Sequence, residues 1–360
     1  MHVDLDYFYA QCEENRDPSI RNRPVVVCVY SGRTEESGVV STSNYVAREY
    51  GVKAGMPIVR AKRLLKSTEA VFLPMNRPLY EGVSERVMTV LREHADLFEQ
   101  AGIDEAYLEV TKRTQGSFAK AHEIASEIKQ RVLENEHITC SVGIAPNKLI
   151  GKICSDYRKP NGLTSIVPNQ VQEFIAELPV AKIPGVGKKA EEKLNQLNIR
   201  TVRELHARDR TSLVESFGNN LGTFLYHAAR GENDEPVKER DQPSQFSRIA
   251  TLRKDTSDTS EMMPLLDELT SSVAQKLREA DLTCKSVGIV AILNDLAIHS
   301  RSKTLDSPTS DTNTIAKNIK ELARQFFESM PNAVARRVGV KVSVLTKKSE
   351  QTDISKFLHE

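Results

Sequence analysis

The sequence predicts a multidomain α+β chain, and three observations predict it. The first and last parts each run strand–helix–strand–strand–helix–strand. The block between them, about 167–232, is nearly all helical. The 360 residues exceed one ordinary domain, and 39% hydrophobic with 28% charged residues suit a chain that buries several cores. No run approaches the roughly 18 apolar residues of a membrane span. The start, Met1-His2-Val3-Asp4, enters an apolar–acidic strand without the basic and long apolar regions of a signal peptide. The expectation is a cytoplasmic protein with no membrane partner.

Cys12, Cys28, Cys140, Cys154 and Cys284 are odd in number and form no C-x-x-C pair, so buried reduced thiols are expected, not disulfides or zinc. Fifty basic and 49 acidic residues leave a net charge of +1. A nucleic-acid partner would then require the charges to be segregated along the chain.

The first block, to about Ile166, opens with the strand HVDLDYFYA and the apolar run PVVVCVY. Arg77 to Glu99 has helical spacing, GIDEAYLEV reads as a strand, and Phe118, Ala121, Ala125, Ile128 and Val132 recur at helical steps before the strand ITCSVGI. This is a ferredoxin-like βαββαβ order with residues of about 10–75 inserted after the first strand. The helical block carries the turn KIPGVGKKAEEKL at 182–194 and a weaker turn at Gly218–Gly222. The polar, proline-punctuated stretch 231–245 reads as a linker that supports no core. The third block, 246–346, repeats the order with strands at FSRIATL, KSVGIVAIL, LAIHSRSKTL and RRVGVKVSVL. Arg248, Arg253, Lys254, Lys285, Arg301, Lys303, Arg336, Arg337 and Lys341 sit on or beside these strands, which predicts a sheet with a basic open face, suited to a phosphate backbone.

Two acidic clusters interrupt apolar strands. Asp4 and Asp6 flank Leu5, and alternation places both carboxylates on one face. Asp104 and Glu105 sit in AGIDEAYLEV. A ferredoxin-like sheet puts the first strand centrally, expected here beside the strand that follows the first helix, so Asp4 and Asp104 meet. Converging carboxylates repel unless cations lie between them, and a hard oxygen site suits Mg²⁺. Two ions about 4 Å apart activate an attacking hydroxyl and stabilise a leaving pyrophosphate. The aromatic run Tyr7-Phe8-Tyr9 offers a platform under a nucleotide sugar. Tyr45 and Arg48, three apart on one helical face, and Lys159 in SDYRKPNG suit triphosphate oxygens. In IPGVG, amides of Gly185, Gly187 and their neighbours face a phosphate, with Lys188 and Lys189 opening the next helix. That is a helix-hairpin-helix, a sequence-independent grip on a DNA backbone.

The ordered motifs DLDYFYAQCEE, PVVVCVYSGR, STSNYVAREYGVKAGMP, GIDEAY, SVGIAPNKLIGKICSDYRKPNG and IPGVG span nearly the whole chain. With them it resembles the Y-family translesion DNA polymerases, in the DinB or polymerase IV branch and especially its archaeal members. The resemblance implies a right-hand polymerase. Its palm would be 1–10 and 76–166, small fingers 11–75, thumb 167–232, linker 233–245, little finger 246–346, and tail 347–360. It implies that Asp4, Asp104, Glu105 and the Leu5 carbonyl hold two Mg²⁺; Asp6 matches an acid of the motif but is left out of that set. Tyr9 is the implied steric gate against a ribose 2′-hydroxyl, with Phe8 beside it under the nucleotide. Thr42, Tyr45, Arg48 and Lys159 contact the triphosphate, and Val29, Val39 and Ser41 roof the base pair. A roomy roof tolerates damaged templates at a cost in fidelity.

Gly102 stands where the family commonly has Ser or Ala, and the lead-in to the first strand is a few residues short. The tail places Gln351, Ile354, Phe357 and Leu358 at the spacing of a peptide that plugs an apolar pocket on a sliding clamp of the archaeal and eukaryotic kind. The expected activity is low-fidelity, low-processivity addition of dNTPs to a primer on template DNA, by a monomer. The rivals are another palm-type enzyme, such as a nucleotide cyclase, and a non-catalytic DNA-binding scaffold recruited by the clamp.

Overall fold

The computed structural model describes residues 1–239 and 243–348. The chain forms two compact units. The second comprises the C-terminal block together with Val29–Val39 and Pro57–Val59, and the first comprises the rest.

The chain opens with β1 (His2–Leu5), which leads into α1 (Phe8–Arg16). Then come β2 (Val25–Tyr30), β3 (Gly38–Ser43), α2 (Tyr45–Glu49), α3 (Ile58–Leu64) and β4 (Val71–Pro74). These three strands make a small sheet in the order β3-β2-β4, with β2 and β4 parallel. The chain continues through α4 (Arg77–Glu93), β5 (Leu97–Gln100), β6 (Glu105–Glu109), α5 (Thr111–Thr114), α6 (Phe118–Glu136), β7 (Cys140–Ile144), α7 (Lys148–Tyr157) and β8 (Leu163–Ser165). The main sheet has the order β5-β6-β1-β7-β8.

Strand β1 is central, as expected, but its neighbours are β6 and β7, both antiparallel to it. The strand that follows the first helix, β5, is the edge strand. The helical spacing read through Glu99 ends at Glu93, because Leu97–Gln100 pairs with β6 as a strand. Helices α4 and α6 cover one face with Val83, Val87, Leu91, Ala125, Ile128 and Val132.

The helical block holds α8 (Val171–Ala176), α9 (Lys188–Gln196), α10 (Val202–His206), α11 (Arg210–Phe217) and α12 (Asn219–Ala228). Its apolar core also takes in Leu149, Ile150, Ile153 and Cys154 of α7. The opposite side of α7 lies directly on β7. A Cβ at Gly143 would stand 2.1 Å from the Gly151 carbonyl oxygen and 2.6 Å from the Ser155 amide nitrogen. The described part of the linker is docked, not free. Glu235 pairs with Lys148 at 2.9 Å, Lys148 with the buried Glu99 at 2.8 Å, and Glu239 with Arg92 at 3.6 Å.

The second unit adds β9 (Gln245–Thr256), α13 (Thr259–Glu279), β10 (Leu282–Leu293), β11 (Ile298–Thr309), α14 (Thr312–Ser329) and β12 (Ala335–Lys347). Its element order matches that of the first sheet, but its strand order, β11-β10-β12-β9, puts the first strand at the edge. Both helices pack on one face over Val287, Ile289, Val338, Val340 and Val342. All five cysteines are buried and free, and no helix among the described residues is long and apolar enough to cross a membrane.

The contact at Gly143 yields a prediction. Gly143→Ala forces α7 off β7 and destabilises the first unit by about 3 kcal/mol. Urea unfolding followed by amide exchange reports this as a lowered midpoint for the first unit, with the second unit unchanged.

Candidate active site

Asp4 and Glu105 are direct Cα partners across β1 and β6, and one residue on, the Leu5 amide donates to the Asp104 carbonyl at 2.8 Å. Pairing of these two strands brings together acids 100 positions apart in the chain. Burial pushes the Asp4 carboxyl up to about 6, against the pull of Lys159 and with a further push from Asp104. Burial and the adjacent Glu105 raise Asp104. Glu105 is driven down to about 2, chiefly through its contact with His2, with Lys152 adding to it against burial. Such divergence marks carboxylates crowded into a half-dry site.

Two lysines from the α7 segment answer that charge. Lys159 bonds Asp4 Oδ1 and reaches Asp156 at 2.9 Å, and Lys152 bonds Glu105 Oε2. His2, fully buried, lies 3.4 Å from the same Glu105 oxygen, and its Nδ1 shares a 2.7 Å hydrogen bond with the Ser155 hydroxyl. Among the described residues no three His, Cys, Asp or Glu side chains are drawn into a ready-made cation cage. Asp4 and Glu105 are instead held by lysines. Asp6 takes no part: its oxygens accept from Thr139 at 2.9 Å, Ser141 at 2.7 Å and the Asn161 amide at 2.8 Å, which ties the end of β1 to β7 and the turn after α7. At Gly102 an added Cβ would sit 3.1 Å from Glu105 Cγ, so glycine here leaves the acid more room than a larger residue would.

The aromatic run divides. Tyr9 is half-buried and stacks on Tyr80 with centroids 4.4 Å apart and planes at 19°; Asp104 is among the charges acting on its phenol. The Tyr80 hydroxyl donates to the buried Glu13 at 2.7 Å. Phe8 corrects the sequence expectation. Only 2% exposed, its ring belongs to the core and not to a nucleotide platform, because the first turn of α1 directs it inward. Arg48 lies over the Tyr45 ring at 4.7 Å and donates from Nε to the Ser43 carbonyl at 2.9 Å. The Tyr45 hydroxyl is buried without a hydrogen-bond partner, and its phenol feels Asp6, Arg48, Lys159 and Asp4. Thr42 and Ser41 lie half-buried on β3, while Val29 and Val39 are 43% and 44% exposed on β2 and β3.

In IPGVG, Gly185 takes φ +96°, a left-handed backbone that favours glycine, and the Val186 amide closes the turn on the Ile183 carbonyl at 3.0 Å. Gly187 then caps α9, which begins at Lys188 and Lys189. A cleft of 560 Å³ runs from Lys152 and Asp156 past Tyr157 to Pro184 and Gly185.

The second sheet corrects the basic-face expectation in part. Arg301 and Lys303 pair with the core residues Ile289 and Val287, so they point to the helix side. There Arg301 donates to the Ser329 hydroxyl at 2.9 Å and Lys303 meets Glu321 at 3.2 Å. Arg248 shares that side through its partner Val340. Arg337 and Lys341 alternate with Val338, Val340 and Val342 and take the open face, where their partners are Thr251, Ile292, Ser247 and Gly288. Arg336 lies 3.9 Å from Asp255. The residues assigned to clamp binding, Gln351 to Leu358, lie outside the described residues.

Sequence reasoning missed His2, Lys152 and Tyr80. A signal existed for Lys152: it precedes Lys159 by seven, two helical turns. His2 and Tyr80 read as ordinary apolar-strand and helix positions.

Comparison with known proteins accounts for this arrangement. The chain matches the impB/mucB/samB family over residues 3–156, the C-terminal domain of that family over 243–354, and the DNA polymerase-iota thumb domain over 181–233. It is 43% identical over 357 residues to a DNA polymerase IV of Nitrosopumilus maritimus, covering 99% of this chain and 98% of that one. With a DNA polymerase IV of Methanosarcina acetivorans it shares 42% over 360 residues, 98% of each chain. A solved Y-family DNA polymerase chimera of Dbh and Dpo4 superposes with a TM-score of 0.90 at 38% identity, over 96% of this chain and 98% of that one. An insertion ternary complex of Dbh DNA polymerase gives 0.69 at 39% identity, over 95% and 97%. The chain belongs to the Y-family of translesion DNA polymerases, in the DNA polymerase IV branch.

Proposed function

We propose that Asp4, Asp104 and Glu105, with the Leu5 carbonyl, form the metal-binding centre for DNA synthesis, and that the metal is Mg²⁺, two ions per site. The observation that carries this is the pairing of β1 with β6, which sets three half-dry carboxylates around one strand junction. The donor set is all hard oxygen, which fits Mg²⁺ and a substrate that brings its own phosphates. When bound, the ions lower the pKa of the attacking hydroxyl and stabilise the leaving pyrophosphate.

The residues of the chain do the rest. The primer 3′-hydroxyl attacks the α-phosphate of a dNTP paired to the template, and pyrophosphate departs. Arg48 and the Tyr45 hydroxyl, the latter buried with no partner of its own, bind the triphosphate with Thr42. Lys159, released from Asp4, joins them. Tyr9, held flat on Tyr80, occupies the place of a ribose 2′-hydroxyl. Val29, Val39 and Ser41 form a small-residue roof over the base pair. The hairpin amides at Gly185 and Gly187, with Lys188 and Lys189, hold a backbone phosphate. Arg337 and Lys341 on the open sheet face hold others, with Arg336 beside them. Gln351, Ile354, Phe357 and Leu358 are the proposed clamp peptide of a cytoplasmic, monomeric enzyme. Their spacing supports this.

Primer extension with Mg²⁺ on undamaged and abasic templates tests the reading. Extension past the abasic site is expected. Asp104→Ala or Glu105→Ala should lower it by at least about 10³-fold while DNA affinity by fluorescence anisotropy stays within about twofold; loss of both together points to misfolding. Tyr9→Ala should admit ribonucleotides, raising their kcat/KM relative to dNTPs by at least about 10²-fold. Unchanged sugar discrimination sinks the gate assignment. Arg337→Ala and Lys341→Ala should each weaken DNA binding and lower the salt slope by about one, whereas Arg301→Ala and Lys303→Ala leave the slope unchanged. The reverse pattern overturns the face assignment.

A further inference from the structure

Helix α7 carries two kinds of lysine on its way past the acids. Lys148 is locked: 8% exposed, it sits between Glu99 and Glu235 with its ammonium 4.8 Å from the centroid of the Tyr107 ring. Lys152, one turn on, is 26% exposed, and its one ion-pair partner described is Glu105 Oε2. That oxygen also faces His2. It belongs to one of the three carboxylates assigned to metal.

We infer that Lys152 is the resident counter-cation of the acidic site, holding in the metal-free protein the Glu105 oxygen that a divalent ion must take, so that ion binding displaces its ammonium. The inference rests on the proposed metal role of the acids. Helix α7 is packed on both sides, on β7 at Gly143 and Gly151 and on the helical block through Leu149, Ile150 and Ile153, so shifting it would break those contacts. The side chain itself must move, and the 560 Å³ cleft that Lys152 lines, which runs toward the hairpin, gives the displaced ammonium room in solvent. A long, flexible, strongly hydrated ammonium suits this exchange better than a guanidinium, whose planar fork grips a carboxylate at two points. Lys152 thereby keeps the acids from repelling one another before the ions arrive. It also sets the ion concentration at which the site fills.

The test is binding of Mn²⁺ alone to the full chain, without DNA or nucleotide, with free Mn²⁺ read by electron paramagnetic resonance. Lys152→Met should tighten binding about three- to tenfold, the scale of a half-exposed ion pair plus the removed repulsion. Lys152→Arg should weaken it. Equal or weaker binding in a folded Lys152→Met protein overturns the inference, as does equal or tighter binding in Lys152→Arg, which remains decisive if the methionine variant does not fold. Asp104→Asn serves as the separate control. If it leaves Mn²⁺ binding intact, the metal reading of the acids fails. If it abolishes binding while neither lysine variant behaves as stated, only the role of Lys152 falls.

Discussion

Three carboxylates gathered at one strand junction must be compensated, and the arrangement of the first unit follows from that requirement. Removing an acid from water without a partner costs several kcal/mol, yet Asp4, Asp104 and Glu105 are all at least half-withdrawn from solvent. The compensation comes from α7 and the turn after it, through Lys152 and Lys159. Those side chains reach the acids because α7 lies against β7 at a distance that only glycine at 143 permits. The remaining faces of α7 are taken up by the helical block through Leu149, Ile150 and Ile153. One helix therefore joins the sheet that carries the acids to the block that carries the hairpin. A displacement of that helix would be felt at every charged group of the site.

The two larger sheets show how one order of elements serves two purposes. In the first, β1 is central, so both neighbours contribute: β6 brings Asp104 and Glu105, and β7 brings Ser141, which holds Asp6. In the second, the first strand is an edge and β12 takes a central place, with Arg337 and Lys341 on the uncovered face. Around them stand Ser247, Thr251, Gly288 and Ser302, short residues set beside the apolar Ile249 and Ile292. An open hydroxyl-bearing surface with few cations suits contacts to a continuous backbone better than a deep pocket does.

Much of this was legible in the sequence because each property is local. Apolar periods marked the strands and helices, interrupted by acids that an apolar strand does not otherwise tolerate, and the glycine–proline punctuation gave the hairpin. What was not legible depends on parity and on partners. Phe8 and Tyr9 are adjacent and chemically alike, and only the turn at the start of α1 decides which ring enters the core. Arg301 and Lys303 occupy positions one strand step removed from the open face. Their side is set by a register that shifts between Cys284 and Ser286, and a one-residue slip inverts every side chain. His2 and Lys152 gain meaning only through Glu105, which lies 103 and 47 positions away.

The linker makes the same point from the opposite direction. Its composition is too polar and too charged for a core, and that reading of 233–239 holds, since no residue there joins an apolar cluster. Order comes instead from charge already buried in the first unit. Glu99 is 1% exposed and Lys148 8% exposed, a pair whose members cannot separate without stranding a charge. Glu235 adds a second carboxylate to that ammonium, and the Lys238 amide donates to Glu99 at 3.3 Å. A segment with no apolar anchor is thus held by a buried ion pair formed by residues outside it. Polarity alone does not make a linker free; what matters is whether the surface it crosses offers charged groups that it can bond.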